Sequence, residues 1–169
     1  MGATLLLLAT LMLPGTTPPI LPPEMQTALL AKVVAYDRAF AQAPLSRLRV
    51  LVAQADGAER EAEGVAAALR RAGFPVTVVS ADLAAALPGT PAVVYIVGDG
   101  IGAALADACA RARVLTATAR VDLVERGRVT LALALKADSK PEIVINTARA
   151  AREGRDFEAR LLHLARLVH

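Results

Sequence analysis

The sequence predicts an α/β domain: a mainly parallel central sheet with helices on both faces and a late antiparallel hairpin, the three-layer arrangement of Rossmann-like folds. Three observations predict it. Between residues 47 and 125, short β-branched runs alternate with stretches whose apolar residues recur every three or four positions. After residue 128 the period drops to two, with Val129, Leu131, Leu133 and Leu135 alternating with Thr130, Ala132, Ala134 and Lys136. The chain also has 169 residues, 55% of them apolar, enough for one core of ordinary size without disulfides or a structural metal.

The elements follow in order. Met25, Ala28, Leu29, Val33, Tyr36 and Phe40 mark one face of a helix over residues 24–42, stopped by Pro44. Residues 47–53 are apolar without alternation, as suits a strand buried on both sheet faces. Asp56 and Glu59 form a capping box for the next helix, which Gly73 closes in a left-handed cap. Strands are expected at 76–80, 92–97 and 114–118, separated by a short helical turn at 82–87 and a helix at 101–111. A single turn over 121–125 leads to the hairpin of 129–136 and 142–145, whose first strand reads as half-buried. Asn146 caps a short helix through Ala151, and Asp156 caps a final helix that turns Phe157, Leu161, Leu162, Leu164, Ala165 and Val168 inward.

At the other end, residues 4–13 are an apolar run closed by Pro14-Gly15. Ten helical residues span about 15 Å, half a bilayer, so the run suits a signal-peptide core rather than a transmembrane anchor. No Lys or Arg precedes it and no A-x-A site follows it. The expectation is a signal peptide with a Pro-rich linker over residues 1–23, then one domain over 24–169, exported to the periplasm and without stable membrane insertion after cleavage. The competing reading makes the run a buried N-terminal helix or strand of a cytosolic domain.

Composition excludes several chemistries. The lone Cys109, with only His163 and His169 beside it, offers neither a disulfide nor a zinc set, so no metal is expected. The net charge of +3 is spread along the chain, and five aromatics cannot build a base-stacking platform, so nucleic acid is not an expected partner. Ser46, Ser80 and Ser139 lie outside any G-x-S-x-G elbow, and Cys109 sits among alanines as a buried thiol; no catalytic residue and no cofactor is assigned.

One loop invites a ligand. Gly98, Asp99, Gly100 and Gly102, with Ala103, fit G-x-G-x-x-A after a strand and before a helix, where backbone N–H groups can cradle a phosphate. Yet the loop follows the third strand, Asp99 would repel an anion, and Asp122, at the spacing of a ribose-binding acid, lies in a turn. A tight turn with an Asp cap is the plainer reading; a small-ligand site at the strand's carboxyl end is the third.

The C-terminal third carries a family likeness. Val114-Leu115-Thr116, Glu125-Arg126-Gly127, the hairpin, Ile145-Asn146, Ala148-Arg149, Gly154 and Arg160-Leu161-Leu162-His163-Leu164-Ala165-Arg166 resemble the tail of YfiR-like proteins. These are exported bacterial α/β domains that repress a membrane-bound diguanylate cyclase through its periplasmic part. The helix of Ala28 to Tyr36 and the strand Val93-Val94-Tyr95-Ile96 fit the same family. The chain departs from it in three places: Tyr36-Asp37-Arg38 replaces an aromatic-proline step, a doubled glycine is reduced to Gly127, and the hairpin strand runs on to Lys136. The redox-sensitive disulfides of the best-known members are beyond a chain with one cysteine.

The resemblance implies a non-enzymatic regulatory domain that binds the periplasmic part of an inner-membrane signalling protein, a diguanylate cyclase or a sensor kinase, and it leaves room for a homodimer. Asn146 and Arg149 match the tail motif, and the arginines at 149, 152 and 160 suit an acidic partner, so Asn146, Arg149, Arg152 and Arg160 are the candidate partner-binding residues. The local alternative makes Asn146 a helix cap and pairs Arg149 with Glu153 at i,i+4. Two other functions stay open: a small-ligand or nucleotide-binding protein using the 98–102 loop, and an accessory solute-binding module of an envelope transport system.

Overall fold

A computed structural model describes residues 20–40 and 42–169; the apolar run at 4–13 lies outside the described residues. Seven strands form one sheet: β1 (Val50–Gln54), β2 (Val76–Ser80), β3 (Val93–Val97), β4 (Leu115–Thr118), β5 (Leu131–Leu135), β6 (Pro141–Asn146) and β7 (Arg166–Val168). Their order is β2-β1-β3-β4-β5-β6-β7, and every neighbouring pair is parallel except β5 and β6. Helices α1 (Pro23–Ala35), α2 (Glu59–Arg71), α3 (Ala81–Ala84), α4 (Ala103–Ala112), α5 (Val121–Glu125), α6 (Thr147–Arg152) and α7 (Ala159–Leu164) connect or cover them.

The pleat divides the interior into two cores, because successive strand residues point to opposite faces. Val50, Val52, Val93, Tyr95, Leu131 and Leu133 face α1, α2 and α7, meeting Leu30, Val33, Val65, Leu69 and Leu161. Leu51, Ala53, Val94, Ile96 and Ala132 face α3, α4 and α5, meeting Ala84, Leu105, Cys109 and Leu123. The fold is therefore the expected three-layer α/β sandwich. The core also reaches one step before residue 24: Leu21 is buried, and its carbonyl accepts from Gln26 Nε2 while Gln26 Oε1 accepts from the Tyr95 hydroxyl on β3.

Several local expectations are corrected. β5 is buried on both faces rather than one: Ala132, small but apolar, packs into the second core, and Ala134 is 6% exposed. The final helix stops at Leu164; Ala165 is extended, and Arg166–Val168 pair with β6 as a seventh strand, so the hairpin is not the sheet's edge and Leu164 stands exposed. Asp156 caps nothing there: it takes a salt bridge from Arg38 at 3.0 Å, and the N-cap position is Glu158. The box at α2 does not form either. Ala58 holds the N-cap position, and Glu59 accepts from the Gly57 N–H at 3.2 Å. Gly73 does close α2, at φ +98°.

α1 ends at Ala35, seven residues short of the expected Gln42, because Asp37 is drawn inward. Its carboxylate accepts from the Ala39 N–H at 3.0 Å and from Arg155 Nη1 at 3.3 Å, and its backbone bridges to Phe157. Arg155 stacks 4.7 Å above the Phe40 ring and donates to the Arg113 carbonyl. A fully buried carboxylate thus ties the exit of α1 to the approach to α7.

Burial pushes the Asp37 carboxyl above its usual value of 3.8, and the Ala39 N–H and the Arg155 charge pull it back without cancelling that rise. The native state therefore holds this proton more tightly than the unfolded chain, and the contribution of Asp37 to stability falls as pH rises from 3.8 through the folded value. Urea unfolding of wild type and Asp37→Asn between about pH 3 and 7 isolates it: the stability of wild type relative to the variant should decline with pH, and a flat difference would show that Arg155 fully compensates the burial.

Candidate functional site

At the amino ends of β4 and β5 the ladder is incomplete: only Ala117–Leu131 and Thr118–Ala132 are in register. A carboxylate fills the gap. Glu153, fully buried at the end of α6, accepts from the Thr116 N–H at 2.9 Å, the Thr116 hydroxyl at 2.7 Å, the Thr130 hydroxyl at 2.7 Å and Arg149 Nε at 2.8 Å. The Thr130 N–H donates to Thr116 Oγ1 at 2.9 Å, closing the loop of bonds. Arg149 Nη2 reaches the Ala106 carbonyl on α4. Asn146 sets the helix in place: its Oδ1 caps the Arg149 N–H at 2.8 Å and its Nδ2 donates to the Val124 carbonyl at 3.1 Å. Asn146 and Arg149 are thus interior groups, each 3% exposed, whereas Arg152 and Arg160 are exposed. The i,i+4 pair forms as the spacing suggests, but in the core rather than on a solvated face.

The glycine loop lies at the opposite, carboxyl end of the parallel strands. Gly98 must be glycine: it sits at φ +88°, and a Cβ there would come within 2.8 Å of Ala55 Cβ in the loop after β1. Gly100 and Gly102 meet no such limit; a Cβ on Gly100 would lie 3.6 Å from Ala55 and one on Gly102 would meet nothing within 4 Å. Gly102 is the N-cap of α4, with no side-chain cap. Asp99 does not cap it, contrary to expectation, but is held by Arg120, whose Nε also donates to Asp122 at 3.2 Å. The two acids singled out from sequence are therefore joined through one guanidinium in a cleft of about 700 Å³.

Beside it, a cleft of about 530 Å³ opens where the winding reverses, β2 having been laid on one side of β1 and β3 on the other. Such a switch point at strand carboxyl ends is where open α/β sheets bind ligands. Gln54, Asp56, Ser80, Asp82, Gly102 and Leu105 line it, and its only charged lining residues are the two aspartates, a poor match for phosphate. His163 is exposed on α7, and burial pushes the Cys109 thiol up to about 12, helped by Glu153 and opposed by Arg149. Among the described residues no group of His, Cys, Asp and Glu is arranged to hold a metal ion, and no helix is long and apolar enough to cross a membrane.

Sequence reasoning missed Thr116, Thr130, Arg120, Asp37 and Arg155. The one available signal was Leu115-Thr116-Ala117-Thr118, where threonines alternate along a strand that must be buried on both faces.

This geometry defines a doubly wound α/β domain with a polar plug at its basal end. Among solved structures it is similar to the ABC domain in complex with L-Trp from Streptococcus pneumonia (12% identity, TM-score 0.63, 87% of this chain and 60% of that one). It is also similar to a conserved domain protein from Vibrio cholerae O1 biovar El Tor (15% identity, TM-score 0.60, 89% of this chain and 61% of that one). At these identities the likeness is one of fold, and the chain spans about three-fifths of either neighbour. No curated protein matches the sequence. The family model described as YfiR/HmsC-like matches residues 23–166, and the chain belongs to that family.

Removing the plug has a defined cost. Glu153→Ala leaves Arg149 buried without its counter-charge and should cost about 3–5 kcal/mol, whereas removing Arg149 as well should cost less than the sum of the single changes. Urea unfolding checks this: the midpoint should fall with the slope unchanged, and additivity of the two losses would refute the coupling.

Proposed function

We propose that the chain is an exported, non-enzymatic regulatory domain that binds the periplasmic part of an inner-membrane signalling protein, a diguanylate cyclase or a sensor kinase, and biases its output. The observation that carries the reading is membership of the YfiR/HmsC-like family over residues 23–166. Two features support it: the apolar run at 4–13, which suits export, and the exposed guanidiniums of Arg152 and Arg160, which suit acidic groups on a partner. As rim charges they would act mainly on association rate and its salt dependence.

The test uses the full chain, tagged at its C-terminus and expressed in its own host. Cross-linking in intact cells followed by detergent solubilisation should recover one inner-membrane protein with a periplasmic domain and a cyclase or kinase domain. Arg152→Glu with Arg160→Glu should reduce recovery about tenfold, that is about 1.4 kcal/mol. Retention of the chain in the cytoplasm, or recovery of no such membrane protein, would defeat the proposal.

A second reading places a small solute in the switch-point cleft, favoured by its position and by the carboxylates of Asp56 and Asp82. Those charges suit a ligand with an ammonium group better than a nucleotide; the L-Trp of the first solved structure is that protein's ligand. A thermal-shift screen decides: at a hundred times Kd an amine ligand should stabilise the fold by about 2.7 kcal/mol, roughly 5–10 °C at this size, while nucleotides leave it unmoved. No shift with any amine removes this reading.

A further inference from the structure

A third cleft, about 360 Å³, lies at the basal end beside the last residue of β6 and the last turn of α5. We propose that it is a binding site for a small organic anion, carrying a carboxylate or a phosphate. The proposal does not depend on the regulatory reading above.

Two arginines on its wall keep donors free. Arg126, Arg149, Arg152 and His169 line the cleft with Glu125 as its one acidic side chain, which is paired with Arg166 at 3.0 Å, while Arg149 is neutralised by Glu153. Arg152 is exposed and has no ion pair or side-chain hydrogen bond among the described residues. Arg126 is 69% exposed and gives Asp122 a single nitrogen at 3.1 Å, leaving most of its donor fork free. Two guanidiniums with free forks at one cleft can engage an oxyanion through paired N–H bonds, which a lone surface lysine cannot do.

The remaining wall is held rigid from behind. Arg149 and Asn146 are each 3% exposed and spend their donors inward, on Glu153, the Ala106 carbonyl and the Val124 carbonyl, so they hold the cleft floor in one shape and leave an incoming anion to Arg126 and Arg152. The His169 ring is oriented by Thr147 Oγ1, 2.7 Å from Nδ1. The two clefts at the carboxyl end differ: the only charged residues lining the switch-point cleft are carboxylates, and in the cleft beside it Arg120 and Arg126 face Asp99, Asp122 and Glu125.

Calorimetric titration of the full chain with inorganic phosphate and, separately, with citrate, at ionic strength held constant with chloride, tests the site. Saturable binding of one anion per chain is expected, and the tighter of the two probes assigns the ligand class. Arg152→Ala should weaken it at least tenfold and Arg126→Ala comparably, with urea midpoints near wild type, while Arg160→Ala, outside the cleft, should bind as wild type does. Absence of saturable binding by both anions, or wild-type affinity in Arg152→Ala, would overturn the proposal. Neither result bears on capture of a membrane partner, so the two proposals fail separately.

Discussion

The carboxylate of Glu153 holds together a part of the sheet that backbone bonding leaves open. β4 and β5 are parallel neighbours that share two register pairs, and the crossover between them contains only the five-residue α5. Their amino ends diverge there, stranding the Thr116 N–H in the interior. Burying an unpaired donor costs more than a hydrogen bond gains. Glu153 meets that N–H and two hydroxyls with one anionic group, and Arg149 balances the charge. A buried ion pair offsets its desolvation only when its remaining valences are filled, and here each carboxylate oxygen accepts twice.

That arrangement fixes what lies around it. For Glu153 to reach the gap, α6 must start where β6 ends and point inward, which the Asn146 cap and the bond from Asn146 Nδ2 to Val124 impose. The short α6 then delivers Arg149 to α4 through the Ala106 carbonyl. One helix of six residues therefore joins α4, α5 and two strands. The two ends of the sheet end up chemically different: aspartates at the carboxyl-end switch point, arginines around the plug at the basal end.

The layers of this fold were legible because they rest on periodicity, and periodicity is local. The apolar runs of β1 and β3 and the stripe of α2 needed no partner to be recognised. The errors fall where a distant partner decides. Leu164 to Val168 satisfies either a helical or an extended pattern, and the free edge of β6 selects the latter. Residues 36–42 continue the helical spacing of α1, but Arg155, 118 positions away, captures Asp37 and turns the chain. The candidate site divides the same way. The Asn146 cap and the Arg149–Glu153 pair are three- and four-residue relations, visible in sequence, while their burial depends on Thr116, 37 positions from Glu153.

Burial of Arg149 redistributes the recognition chemistry of the tail. Had it stood on a solvated helix face, the pair with Glu153 would have been worth a few tenths of a kcal/mol and freely exchangeable for an external anion. In the core, exchanging it would strand Glu153 together with its threonines, so no partner can take it without breaking β4 from β5. The tail motif is thus largely architectural in its inward-facing members. In both proposed readings, discrimination among external groups falls to exposed guanidiniums, those of Arg126, Arg152 and Arg160, which stand outside the interior pair.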